Sequence, residues 1–204
     1  MKKMLKSLLA IIFVISLVWM GTLAYSANMV AAAEARPDSM QKQPSSYQDI
    51  GASVVTSGVM PPFCGANIVE QSSATDPTWA QLQSFLLADK TDQKTYISDV
   101  YVCGDYARDV YNNAERWGIR AAYVAVKLSN AWHACNAFKT TDRGLVFIDC
   151  TGLKAGQLGP SNCDKTVTVK LGEHYKPVSL FRRLGWIGWP CRDMGIILDV
   201  QIYW

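Results

Sequence analysis

The segment from Tyr101 to Gly152, YVCGDYARDVYNNAERWGIRAAYVAVKLSNAWHACNAFKTTDRGLVFIDCTG, leaves few choices of fold. Cys103, Ala107, Val110, Ala114 and Trp117 recur at helical spacing, so a helix is predicted from about Cys103 to Trp117. Gly118 follows where a glycine can take the left-handed conformation that ends a helix. Three β-like runs come next, over residues 119–128, 131–139 and 145–150. Ser129-Asn130 and the tip TTDRG separate them. Connections this short join strands that run in opposite directions. The segment therefore reads as one helix followed by an antiparallel sheet.

The flanks extend that pattern. Asp76 is a suitable N-cap and Pro77 a suitable first helical residue. Trp79, Leu82, Phe85 and Leu86 then mark one face of a helix predicted over 77–89. Residues 166–171 (TVTVKL) alternate and predict a strand. So do residues 196–204, with Ile196, Leu198, Val200, Ile202 and Trp204 on one face. Helices first and strands afterwards predict an α+β fold, with N-terminal helices packed on an antiparallel β-sheet. The stretch from Arg182 to Arg192, with Trp186 and Trp189 among glycines, fits no element.

Half of the 204 residues are hydrophobic and 18% are charged, enough apolar mass for a real core. The net charge is +3 and no long basic run occurs, which argues against nucleic acid as a partner. Lys2, Lys3 and Lys6 precede an apolar run from about Leu8 to Tyr25. Residues 1–26 are read as a signal peptide or an N-terminal membrane anchor. The lysines stay inside by the positive-inside rule, so the rest is exported. The chain is then a single-pass protein of the cell membrane with its domain outside. If the segment is cut after Ser26 or Ala33, it is secreted.

Residues 27–75, with Pro37, Pro44, Pro61 and Pro62, are read as a stalk or linker with a partly ordered end. Residues 76–204 are read as the folded domain that carries the candidate chemistry described next. Export permits disulfides among the six cysteines. Cys163 and Cys191, both in turn-like contexts, are one candidate pair; six buried thiols are the alternative.

Three residues could carry chemistry. Cys103 opens a helix, where the dipole and unpaired N–H groups favour a thiolate. The same N–H groups could hold an oxyanion. His133 lies in an apolar strand, where a buried imidazole needs a partner. Asp149 ends the strand LVFID, where a carboxylate fits poorly. A hairpin centred on Thr141 sets His133 opposite Asp149, with β-carbons about 4.5–5.5 Å apart. The plainer roles are a small core residue, a core histidine on a backbone carbonyl, and a strand-end cap.

No C-x-x-C pair or spaced second histidine accompanies His133, Cys135 and Cys150, so no metal is expected. His174, in GEHYKP, is read as an exposed loop residue. No glycine-rich phosphate loop is present, so no nucleotide or other cofactor is expected.

The motifs VCGDYA, WGIRAAYV, AWHA and VFIDCTG together resemble the transglutaminase-like cysteine hydrolase superfamily, in its bacterial and archaeal branch. Its core is shared with papain-like enzymes. The resemblance covers roughly Trp79 to Gly152. It implies that Cys103 is a nucleophile, His133 a general base and acid, and Asp149 the group that orients the imidazole. The family often has proline after the aspartate, where this chain has Cys150. The family also uses an upstream side-chain oxyanion donor, for which Trp79, Gln83 and Tyr101 are candidates.

The implied function is thiol acyl transfer, hydrolysing amide bonds of peptides, proteins or cell-wall peptides. The alternatives are a protein-glutamine transglutaminase and, in another class, a non-catalytic binding module that keeps the fold.

Overall fold

The computed structural model describes residues 53–55, 68–157, 163–181 and 192–204, all within one unit, Lys42–Trp204. The N-terminal apolar segment, most of the stalk, Trp186, Trp189 and Cys191 lie outside the described residues. Among the described residues no helix is long and apolar enough to cross a membrane.

Helix α1 spans Trp79–Ala88 and buries Trp79, Leu82, Phe85 and Leu86. It starts two residues later than Asp76-Pro77 suggests. Thr78 Oγ1 accepts the Gln81 N–H (3.2 Å), and Gln81 Oε1 accepts the Thr78 N–H (2.8 Å). This reciprocal pair satisfies two otherwise unpaired donors and makes Thr78 the cap. Helix α2 spans Cys103–Arg116, and Gly118 follows at φ 81°. Trp117 leaves the buried stripe and is 60% exposed, its ring edge-on to Phe85.

Among the described residues the sheet has seven strands: β1 (Ser53–Val55), β2 (Ala122–Leu128), β3 (Trp132–Thr140), β4 (Gly144–Asp149), β5 (Lys165–Val167), β6 (Val178–Ser179) and β7 (Ile197–Tyr203). Their order is β1-β7-β2-β3-β4-β5-β6. Every neighbouring pair is antiparallel except β1 with β7. The fold is α+β, helices on an antiparallel sheet. Strand β1 comes from the region read as stalk. Residues 68–75 also join the body: the Val69 N–H donates to Asn112 Oδ1 and the Gln71 N–H to Glu115 Oε2.

Strands β2, β3 and β4 are buried at almost every position rather than alternately. Both faces of the sheet are covered, which suits continuous apolar runs. On one face Asn136 Nδ2 donates to the Ala107 carbonyl of α2 at 2.8 Å. Tyr123, Phe138 and Ile148 share that face by strand alternation and are fully buried. On the other face Val124, Val126, Cys135, Phe147, Val167, Val200 and Ile202 pack with Val169 and Tyr175. Each large side chain buried this way contributes about 1.5–3 kcal/mol, and the result is a firm plate under the site.

Two register details differ from the sequence reading. Lys127 pairs with Asp199 but Leu128 with Ile197, so Leu198 is an extra residue in β7. The bulge turns Ile197 inward (1% exposed) and Leu198 outward (54%), reversing the predicted face at the start of the strand.

The β3–β4 hairpin is centred on Asp142, not Thr141, because Thr140 pairs with Gly144 across a three-residue loop. Gly144 holds φ 72°, and Thr140 Oγ1 accepts the Arg143 N–H. A glycine in the left-handed region after a three-residue loop is a favoured hairpin geometry. Strand β5 is also shorter than residues 166–171 suggested, three residues in all.

Candidate active site

The hairpin register decides how His133 and Asp149 meet. Continued to the strand end, it sets Asp149 opposite Cys135 rather than His133. The strand period of two keeps His133 on the same face, one diagonal step away. A diagonal neighbour is within reach of a long side chain, and the contact forms: His133 Nε2 lies 3.0 Å from Asp149 Oδ2. Both residues are buried, at 6% and 1% exposure.

Cys103 arrives from helix α2. The β3–β4 ladder stops at Asn136–Ile148, so the first residues of β3 have no partner in β4. The start of α2 fills that place. The Cys103 thiol sits beside the His133 side chain and the Ala134 backbone N–H, close enough for both to favour the thiolate. With Nε2 on the carboxylate, Nδ1 is the ring nitrogen left for the sulfur. Helix α2 is held by its own first turn, where Asp105 Oδ2 accepts the Val102 N–H at 2.9 Å. The N–H groups of Cys103 and Gly104 open the helix and have no partner within it.

The carboxylate is tied on every side. Asp149 Oδ1 accepts the Thr151 N–H (2.9 Å), and Lys165 Nζ lies 3.7 Å from it. Asp149 Oδ2 also accepts the Tyr175 hydroxyl (3.2 Å). The Tyr175 ring stands edge-on to the His133 ring at 5.0 Å. Sequence reasoning did not identify Tyr175, Lys165 or Thr151. Tyr175 sits in GEHYKP, which reads as a surface loop. Its neighbour His174 is half exposed on Asp193, while Tyr175 is fully buried. The one available signal was Asp149 itself, because a buried carboxylate requires several donors.

Charge follows from these contacts. Burial alone would push the Cys103 thiol up. The His133 hydrogen bond and charge, with the Ala134 N–H, outweigh it and hold the thiol below its ordinary value. Burial would likewise push His133 down, but Asp149 and the thiol raise it to about 9. Burial would raise Asp149; the Lys165 ammonium, His133 and the Thr151 N–H hold it well below the usual carboxylate range. The thiols of Cys135 and Cys150 go the other way. Burial pushes both up, with Asp149 adding to Cys135 and Asp164 to Cys150. Of these three thiols, Cys103 alone has an imidazole partner and a lowered pKa.

The three upstream oxyanion candidates are placed apart from this contact or otherwise committed. The Trp79 N–H donates to Asp142 Oδ1, and its ring lies under Arg143 at the hairpin tip. That tip is roughly 20 Å along β3 from His133. Tyr101 donates its hydroxyl to Asp109 Oδ2 at 2.6 Å. Gln83 lies on α1. Main-chain donors lie at the sulfur among the described residues: the Ala134 N–H beside it and the first N–H groups of α2.

Among the described residues no cluster of three or more His, Cys, Asp or Glu side chains is arranged to hold a metal ion. The candidate Cys163–Cys191 pair reaches outside the described residues.

No family model and no curated relative matches this chain. A solved structure described as "PSL1a-E64 complex" is similar over 62% of this chain and 42% of its own length, at 16% identity and a TM-score of 0.38. A likeness that distant decides nothing about the site.

Proposed function

We propose that this chain is an exported thiol acyl-transfer enzyme that hydrolyses amide bonds of peptides or proteins. The observation that carries the proposal is the meeting of Cys103, His133 and Asp149. They come from a helix and two strands, with the buried imidazole held between carboxylate and thiol. A nucleophile, a base and an orienting group within hydrogen-bond reach are the parts that acyl transfer needs.

The chemistry follows from the charges. With His133 protonated and the thiol lowered, the pair rests as thiolate and imidazolium over part of the range below about 9. The thiolate attacks the amide carbonyl, and the N–H groups at the start of α2 face the oxyanion that develops. His133 gives its proton to the leaving amine as the C–N bond breaks. His133 then takes a proton from water, which attacks the thioester and releases the acid and the thiolate. An amine in place of water would give transamidation.

The test is labelling of the full chain with iodoacetamide at pH 6, with modified sites read by mass spectrometry. Cys103 is expected to react fast and selectively, and His133→Ala to slow it roughly 10²- to 10⁴-fold. Cys103 reacting no faster than an ordinary thiol would sink the enzyme reading and leave the non-catalytic one.

A further inference from the structure

We propose that Lys165 is a positioning residue: its ammonium keeps Asp149 charged while the proton passes across His133, so the imidazole can release that proton to the leaving amine. The inference rests on the reading of Cys103, His133 and Asp149 just given.

Lys165 opens β5 and pairs across the ladder with Asp149 at the end of β4. Its side chain is 17% exposed, and two main-chain carbonyls hold the ammonium in place. Nζ donates to Thr151 O (2.7 Å) and Cys163 O (2.8 Å) and lies 3.7 Å from Asp149 Oδ1. It thus approaches the carboxylate oxygen that His133 does not use.

In a buried site this second cation matters most when the first is lost. Once His133 hands over its proton, Asp149 faces a neutral ring. A buried carboxylate without a cation tends to take a proton back. Asp92 shows that tendency in this molecule. It is 2% exposed, its carboxyl accepts the Cys163 N–H, and burial holds its pKa above the ordinary value. Asp149 is buried as deeply and is shifted the opposite way. Asp149 has Lys165 at 3.7 Å, His133 at 3.0 Å and the Tyr175 hydroxyl as close partners, whereas at Asp92 the Lys165 charge lowers the pKa without reversing the effect of burial.

Other titratable groups also bear on the pair. Cys103, Cys135 and Tyr175 share the His133–Asp149 surroundings. Asp92 and Cys150 feel the Lys165 charge, and Asp164 precedes Lys165 in the chain. Removing a positive charge raises the proton affinity of His133, and Asp149, held well below the usual carboxylate range, keeps its charge while the ring is protonated, so the expected shift is upward.

The experiment is an NMR titration of imidazole-labelled histidine in the full chain, with His174→Gln used to assign the two rings. Lys165→Met removes charge and donors. Lys165→Gln removes the charge but keeps an amide to donate to both carbonyls, which protects the fold if the methionine variant is unstable. In both, the His133 titration is expected to move upward by about one pH unit, a tenfold change in its proton affinity. An unchanged or lowered His133 titration in the folded glutamine variant overturns the proposal. Iodoacetamide labelling of wild-type Cys103 tests the enzyme reading separately: a slow Cys103 sinks that reading, and the NMR shift still decides what Lys165 does to His133.

Discussion

Cys103 and Cys150 stand on two sides of the same aspartate, and their thiols behave oppositely. Cys150 follows Asp149 in the chain, is 3% exposed and is hydrogen-bonded to Asp164. Cys103 opens α2 and sits beside the His133 imidazole. Burial pushes both thiols up. A carboxylate beside Cys150 adds to that, whereas an imidazole beside Cys103 reverses it. Nearness to a buried aspartate is therefore no sign of reactivity. What counts is whether the neighbour that touches sulfur can carry positive charge.

Asp149→Asn strikes this contrast hardest. Without the carboxylate, burial dominates and the His133 pKa falls from about 9. The imidazolium is lost first at alkaline pH and then near neutrality, and the Cys103 thiol rises toward Cys150. Iodoacetamide labelling at pH 6–7 is expected to slow roughly 10²- to 10⁴-fold. Labelling as fast as in the wild type would show that the helix start, not the imidazole, activates the sulfur.

Next in size is the effect of deleting the quiet thiol. Cys150→Ala leaves Asp164, 2% exposed, one donor short. Urea unfolding should show a loss of about 1–3 kcal/mol. Cys103 labelling should stay at its wild-type rate, and a large drop would break the separation drawn between the two sulfurs.

The smallest effect is expected at Tyr175. Tyr175→Phe keeps the ring against His133 and removes one hydrogen bond to Asp149 Oδ2. A loss of about 1 kcal/mol in urea unfolding is expected. Cys103 labelling within a few-fold of wild type would sharpen the comparison, because it assigns the reactivity to the imidazole's charge rather than to its packing.

Much of this was legible along the chain. The helical stripe with its glycine stop located α2, and the short turns located β2, β3 and β4. The hairpin tip was right to within one residue, yet its centre was misplaced. Counting residues between strands does not show that Thr140 will close the loop on a left-handed Gly144. The shift preserved the face because it moved the pairing by an even number of residues. A shift by an odd number would have turned Asp149 to the helix side, away from His133. The bulge at Leu198 was not legible for the same reason: an extra residue in a strand depends on its partner, not on its own pattern.

By itself the sequence determined which side chains could do chemistry. A cysteine opens a helix, and a histidine and an aspartate occupy strands that suit them poorly. Those are local mismatches between residue and element, and local composition records them. Only the tertiary structure decided that the three touch, because the β3–β4 ladder ends early and α2 fills the vacant place. It also decided what surrounds them. Tyr175 and Lys165 reach Asp149 from 26 and 16 residues down the chain, and no spacing rule links positions that meet only when a sheet closes over its own core.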